Sequence, residues 1–304
     1  MNADQKYIRY TWFVLMMVFL VIAAGGVVRM TQSGMGCPDW PKCFGKWIPP
    51  TSAEQLPPNF EKYLKTQDID HSFNVYHTWI EYINRLLGAL LGVFIFIHFI
   101  WSYMKFRRSH RRVLLYSFLL LIAVGFQGWL GKKVVDHNLE AVKVTIHMLV
   151  ALVIGAIPLL IIYRLKGSEK VTDHFLKIFS VIMLTLLLGQ IVLGTQVREQ
   201  IDEISKELLY KQREIWIERI DNLFMIHRSF SWVIAGGCLL IFLKARKYSA
   251  LKTNALVILF VVVSTILLGT IMAWYNIPAI AQPIHLLLAS VLVLATFTLR
   301  LRLK

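Results

Sequence analysis

Four apolar stretches each carry one polar side chain in the same setting. They are Tyr82-Ile83-Asn84-Arg85-Leu86, Thr145-Ile146-His147-Met148-Leu149, Leu223-Phe224-Met225-Ile226-His227-Arg228 and Pro283-Ile284-His285-Leu286-Leu287. A histidine inside a membrane-length apolar run is costly unless it has a partner. Imidazoles on facing helices suit the axial positions of a haem iron, because the porphyrin leaves only those to the protein. The recurrence in three runs is what points to haem, since a merely structural histidine need not reappear at one depth.

Elements must hold these residues, and composition says which kind. The chain has 304 residues, 57% of them hydrophobic. The apolar residues come in blocks of the ~20 residues needed to cross a bilayer. Eight runs stand out, at 11–29, 80–103, 113–131, 143–163, 176–195, 222–243, 254–273 and 281–299. They are continuous rather than alternating, which argues against a β-barrel. The expected class is an all-α polytopic membrane protein with eight spans.

The net charge of +15 could suggest nucleic acid. The basic residues instead sit in short connections, as in Lys105, Arg107, Arg108, Arg111 and Arg112, or Lys244, Arg246 and Lys247. They alternate with acidic or uncharged connections, so the positive-inside rule predicts cytoplasmic termini and a cytoplasmic-membrane location. No nucleic-acid partner is expected. Two long connections, 30–79 and 198–221, then fall outside. The second mixes charge with Ile201, Ile204, Leu208 and Ile217 and is expected to form an amphipathic helix on the membrane surface. A solvated helical hairpin is the alternative.

The runs repeat. Asn84-Arg85 aligns with His227-Arg228, Gly125 with Gly269, and Ile146-His147-Met148-Leu149 with Ile284-His285-Leu286-Leu287. The pattern predicts two pseudo-symmetric four-helix bundles, residues 1–166 and 167–304, each able to build a site from facing helices. The other histidines read differently. His71, His110, His137 and His174 fall in connections, and His98 reads as a satisfied core residue. Cys238 reads as packing.

The halves are not identical. Glu81 precedes Asn84 by one turn, and its repeat position is Phe224. It is either a partner for Arg85 at the membrane rim or a proton-handling group. Cys37 and Cys43 have no counterpart in the second half. On the outer face they are expected to form a disulfide, exposed and open to redox exchange. Zinc is the rival reading, but further ligands at suitable spacing are missing.

Together, Arg29-Met30-Thr31-Gln32-Ser33-Gly34-Met35-Gly36-Cys37-Pro38-Asp39-Trp40-Pro41-Lys42-Cys43, then Glu81-Tyr82-Ile83-Asn84-Arg85-Leu86-Leu87-Gly88, then the three histidines, resemble the haem A synthase family. The resemblance covers nearly the whole chain. It implies oxidation of a ring methyl of haem O to a formyl group, through successive hydroxylations, giving haem A for terminal oxidases. It implies a haem B on His227 and His285, and a substrate site in the N-terminal half with His147, Glu81 and the cysteine pair. It also implies a haem O synthase and oxidase assembly factors as partners, with an unidentified electron donor. A quinol-linked b-type cytochrome, or a haem-delivery protein, are the alternatives from other classes.

One position departs from the family pattern, which commonly has histidine where this chain has Asn84. Asparagine is a poor iron ligand. The expectation is a substrate iron bound by His147 alone, with an open or water-occupied second face. His77 could substitute, although it lies about 10 Å from residue 84 along an ideal helix. Arg85 and Arg228 are candidates for haem propionates, or for snorkelling to the interface.

Overall fold

The computed structural model describes residues 3–60, 73–167 and 169–304; His71 lies outside them. Eight long α-helices run through these residues: α1 (Ala3–Met30), α2 (Val75–Phe106), α3 (Arg111–Asp136), α4 (Ala141–Lys166), α5 (His174–Glu207), α6 (Asn222–Ala245), α7 (Ser249–Trp274) and α8 (Ala281–Leu301). Each is long and apolar enough to cross a membrane, which makes this a multi-pass membrane protein. Large apolar side chains stand exposed along the spans, such as Met16 at 63% and Phe260 at 71%. A lipid-facing helix tolerates that exposure because the surrounding medium is itself apolar.

The helices outrun the apolar runs at most ends. Hydropathy marks where the chain is dry, whereas backbone hydrogen bonding continues until a cap stops it. Asn74 caps α2 by accepting from the N–H groups of Tyr76 and His77. Asp173 accepts from Leu176 N at 2.9 Å to start α5, and Asp221 accepts from Leu223 N at 2.7 Å to start α6.

Packing divides the chain into Met1–Ile154 and Gly155–Lys304. The division falls inside α4, twelve residues before the boundary expected from sequence. In the first unit α2 packs on both α1 and α3. Tyr7, Leu15, Ile95 and Leu120 fill its core. His98 is fully buried there, 3.1 Å from Thr11 Oγ1 and 3.4 Å from Tyr7 Oη. It is the satisfied core histidine that the sequence suggested. In the second unit α5, α6, α7 and α8 close a ring, each packing on the next and α8 on α5. Leu176, Met183, Ile241, Ile258 and Leu299 line its interior, and Cys238 is buried and free.

The segment 198–221 departs from the expected surface helix. Its first part is simply the end of α5, which runs to Glu207. The chain then reverses through Leu209, Tyr210 and Gln212, all at positive φ, and a single 3-10 turn at Arg213–Ile215. Ile201 and Ile204 face a small core with Val197, Trp216 and Ile277 rather than a membrane surface. The amphipathic pattern was real, but a local partner buries its apolar face.

Candidate functional site

Four residues at the start of α2 face one connection. Thr78, Glu81, Tyr82 and Arg85 recur at helical spacing and so share a side. The segment 33–60 folds onto that side. Thr78 Oγ1 donates to Gly36 O at 2.9 Å, and Trp79 Nε1 donates to Pro50 O at 3.3 Å. Tyr82 Oη donates to Trp47 O. Gly36 is required at its place: a Cβ there would lie 2.4 Å from the His77 carbonyl carbon, a backbone atom that cannot swing aside. This contact puts His77 at the rim of the helix, against the loop.

Glu81 and Arg85 form the centre of this contact. Glu81 is 4% exposed; its Oε2 accepts from Cys37 N at 2.8 Å. Arg85 Nε donates to Glu81 Oε1 at 3.0 Å, and Nη2 to the same oxygen. Its remaining hydrogens reach Asp39 O at 2.5 Å, Lys42 O at 3.2 Å and Cys37 O at 2.9 Å. A guanidinium has five N–H donors, and all five are used. Arg85 therefore holds the loop and leaves no donor for a propionate. Of the two readings of Glu81, the geometry is that of the partner for Arg85.

Cys37 and Cys43 are joined by a disulfide. Asp39 braces the turn between them, accepting from Phe44 N at 2.6 Å and Gly45 N at 2.9 Å. Both cysteines are fully buried, with Phe44, Leu56, Phe73 and Tyr82 packed around them. The expectation that the bond is exposed is corrected. Sequence spacing gave the pairing, but the aromatic cover comes from residues outside the motif.

The polar positions within the spans share one property. Asn84 Oδ1, His147 Nδ1, His227 Nδ1 and His285 Nδ1 are all buried without a hydrogen-bond partner. Buried polar atoms in native proteins are nearly always satisfied. Other buried side-chain atoms, such as Tyr163 Oη and the Oε1 atoms of Gln127 and Gln190, share that state, so it is the recurrence at four repeat-related positions that marks a candidate ligand site. Among the described residues no three His, Cys, Asp or Glu side chains gather as a cage for a bare metal ion. Single or paired imidazoles do suffice for a haem iron, since the porphyrin supplies the other donors.

Glycines cradle the imidazoles. A Cβ at Gly131 would lie 3.5 Å from His147 Cε1, one at Gly194 would lie 3.1 Å from His227 Cε1, and one at Gly269 would lie 3.4 Å from His285 Cε1. Two glutamines add a second hold. Gln127 Nε2 donates to His147 O at 2.9 Å, and Gln190 Nε2 donates to His227 O at 3.0 Å. The sequence reading missed both. Their signal was a lone amide four residues before a glycine in an apolar helix. The residues present fit haem ligation at His147, His227 and His285.

Arg228 differs from Arg85. It is exposed, with its guanidinium 5.9 Å from the Phe224 ring centroid. Arg198 does the bracing in this unit, donating to Gln282 Oε1 at 2.6 Å and pairing with Asp202 at 2.7 Å.

A family model described as cytochrome oxidase assembly protein, COX15-CtaA, matches residues 8–297. The chain belongs to the COX15-CtaA family. Curated relatives within reach of that family are haem A synthases. The one from Orientia tsutsugamushi is 27% identical, covering 98% of this chain and 96% of its own. That from Rickettsia prowazekii is 26% identical over 93% of this chain and 94% of its own. That from Bartonella tribocorum is 23% identical over 93% and 88%. COX15-CtaA membership agrees with the resemblance read from the first-loop motif and the histidines. It also spans both units, so neither is an accessory domain.

Proposed function

We propose that this chain is a haem A synthase of the cytoplasmic membrane, with both termini in the cytoplasm. It converts a ring methyl of haem O to a formyl group, a four-electron oxidation with O2 as the terminal oxidant: two hydroxylations at one carbon, then loss of water from the resulting diol. The observation that carries this is the set of four orphaned polar atoms at Asn84, His147, His227 and His285, in a chain that matches COX15-CtaA over residues 8–297. A bound haem B supplies one-electron chemistry at its iron. His227 and His285 would hold that haem in the C-terminal unit, and Arg228, exposed near the start of α6, would meet an anionic edge of it. His147 holds the substrate haem O in the N-terminal unit. Asn84 does not replace an imidazole, so the second axial face of the substrate iron stays open. His77 belongs to the rim with the loop and does not serve that face.

Glu81 and Arg85 act as a clamp that keeps the disulfide loop seated on α2, closing the substrate site from one end. A proton-transfer role for Glu81 would require Arg85 to let go of it, and the clamp requires no such step. The substrate comes from a farnesyl-transferring haem O synthase, and the product goes to terminal oxidase assembly. The test is expression in a host that makes haem O but lacks this activity, followed by extraction and chromatography of its haems. Haem A is the expected product. Haem O alone, under aerobic growth with the protein present in the membrane, refutes the proposal. The open face is tested separately: Asn84→His is expected to convert the substrate-loaded spectrum from five-coordinate high-spin to low-spin, and an unchanged spectrum rejects it.

A further inference from the structure

The glutamine–glycine pairs beside the histidines carry an inference of their own. On α5, Gln190 and Gly194 are four residues apart and so lie on one face, a turn apart. Gln190 donates its amide to the backbone carbonyl of His227 at 3.0 Å. Gly194 offers a bare Cα to the ring of the same residue, where a Cβ would stand 3.1 Å from Cε1. Ordinary van der Waals contact begins near 3.4 Å, so this is the tightest of the three cradles. Gln127 and Gly131 on α3 repeat both contacts with His147, at 2.9 Å and 3.5 Å.

The two contacts fix different things. A carbonyl inside a helix already accepts one backbone hydrogen bond, so the glutamine amide ties that turn of the histidine's helix to its neighbour. The glycine then limits how far the ring can rotate about its own side-chain bonds. Held at the backbone and at the ring edge, the imidazole has one plane available. Groups behind a metal ligand orient it and tune the metal in this way.

The other two corners show what happens when part of the device is absent. On α7, Thr265 stands four residues before Gly269, but its hydroxyl donates to Val261 O of its own helix at 2.7 Å. His285 thus keeps the glycine contact, at 3.4 Å, without a glutamine amide, and its ring is hydrogen-bonded to the Thr265 backbone instead. On α1, aligning Arg29 with Arg198 places Val21 and Gly25 where α5 has Gln190 and Gly194. Gly25 has nothing within 4 Å of its Cβ position. That is the corner whose partner helix carries Asn84 in place of histidine.

We propose that Gln190 with Gly194, and Gln127 with Gly131, are positioning residues that set the plane of the His227 and His147 imidazoles. This rests on the haem-ligand reading of those histidines. A plane held at His227 fixes the angle between the two axial rings, and with it the electronic character of the iron. His227, held by an amide and a glycine, is the reference ring, and His285, held by a glycine and by the Thr265 backbone, follows.

The test uses the purified full-length protein with its resident haem, read by electron paramagnetic resonance and by redox titration rather than by turnover. Gln190→Met keeps the side-chain length and removes the donor. Gly194→Ala adds a methyl against the ring. Gly189→Ala, on the same helix with nothing within 4 Å, is the control. Both bracket variants are expected to retain haem while shifting the low-spin g values and the midpoint potential; the control is expected to match wild type. Wild-type g values and potential in Gln190→Met overturn the proposal. If Gly194→Ala fails to accumulate, Gln190→Met, which adds no bulk, decides alone. His227→Ala separates the two levels. Loss of the low-spin signal supports ligation, whereas its persistence defeats the ligand reading itself, whatever the bracket variants do.

Discussion

The connection before α2 and the connection before α6 close the starts of two helices by different physics. The first is polar and covalently tied: a disulfide, a carboxylate–guanidinium pair and a run of loop carbonyls gathered by Arg85. The second has no cysteine. It buries Val197, Ile201, Ile204, Trp216 and Ile277 in a small apolar cluster, with Arg213 donating to Ile277 O at 2.6 Å. An apolar cluster is insensitive to the loss of any one polar contact, because burial is not directional. A buried ion pair fails sharply when one partner goes, because the other is left as an uncompensated charge. The first cap is thus a precise but brittle device. The second is a cap whose stability is spread over several apolar side chains.

That contrast can be broken in order of size. Arg85→Ala should be the most damaging, with a loss of about 3–5 kcal/mol from the stranded Glu81 carboxylate. It should also release the loop to proteolysis between 37 and 60; thermal unfolding in detergent and limited trypsin digestion report the two effects. An unaltered digestion pattern would mean the clamp is not what seats the loop. Trp216→Ala should cost ~3–4 kcal/mol, within the range for deleting a buried Trp. It should leave the haem spectrum alone, and a lost haem signal would show that the second cap also shapes its site.

Replacing Cys37 and Cys43 together by serine should cost roughly 2 kcal/mol for so short a loop on the chain-entropy model. In the native protein, a maleimide reagent added after mild reductant should label neither cysteine, because both are buried. Prompt labelling would restore the exposed-disulfide reading. The smallest effect belongs to Arg219→Ala, which removes an exposed pair with Glu207 at 2.9 Å. The expected loss is about 0.2–1 kcal/mol and should vanish in high salt.

The sequence could be read furthest where one residue's chemistry meets one medium. Eight blocks of apolar residues had to become eight helices, since a backbone in lipid can satisfy itself only along its own helix or in a closed barrel. His147, His227 and His285 were legible for the same reason: a polar atom in a dry span must answer to something. The cysteine pair was legible because six residues of separation keep the two close whatever the rest does.

What tertiary structure alone decided was which partner each group found. Arg85 could have met a propionate or the solvent; only the folded loop showed three carbonyls and a carboxylate around it. Ile201 and Ile204 had the pattern of a membrane-surface helix, and Trp216 of the same segment and Ile277, distant in sequence, claimed them instead. Gln127 and Gln190 looked like isolated polar residues until the neighbouring helix brought a histidine carbonyl within hydrogen-bond distance. Hydropathy and residue type are properties of one position and its medium, so the chain carries them openly. Contacts between residues far apart along the chain depend on how helices are set side by side, and no single stretch of sequence contains that information.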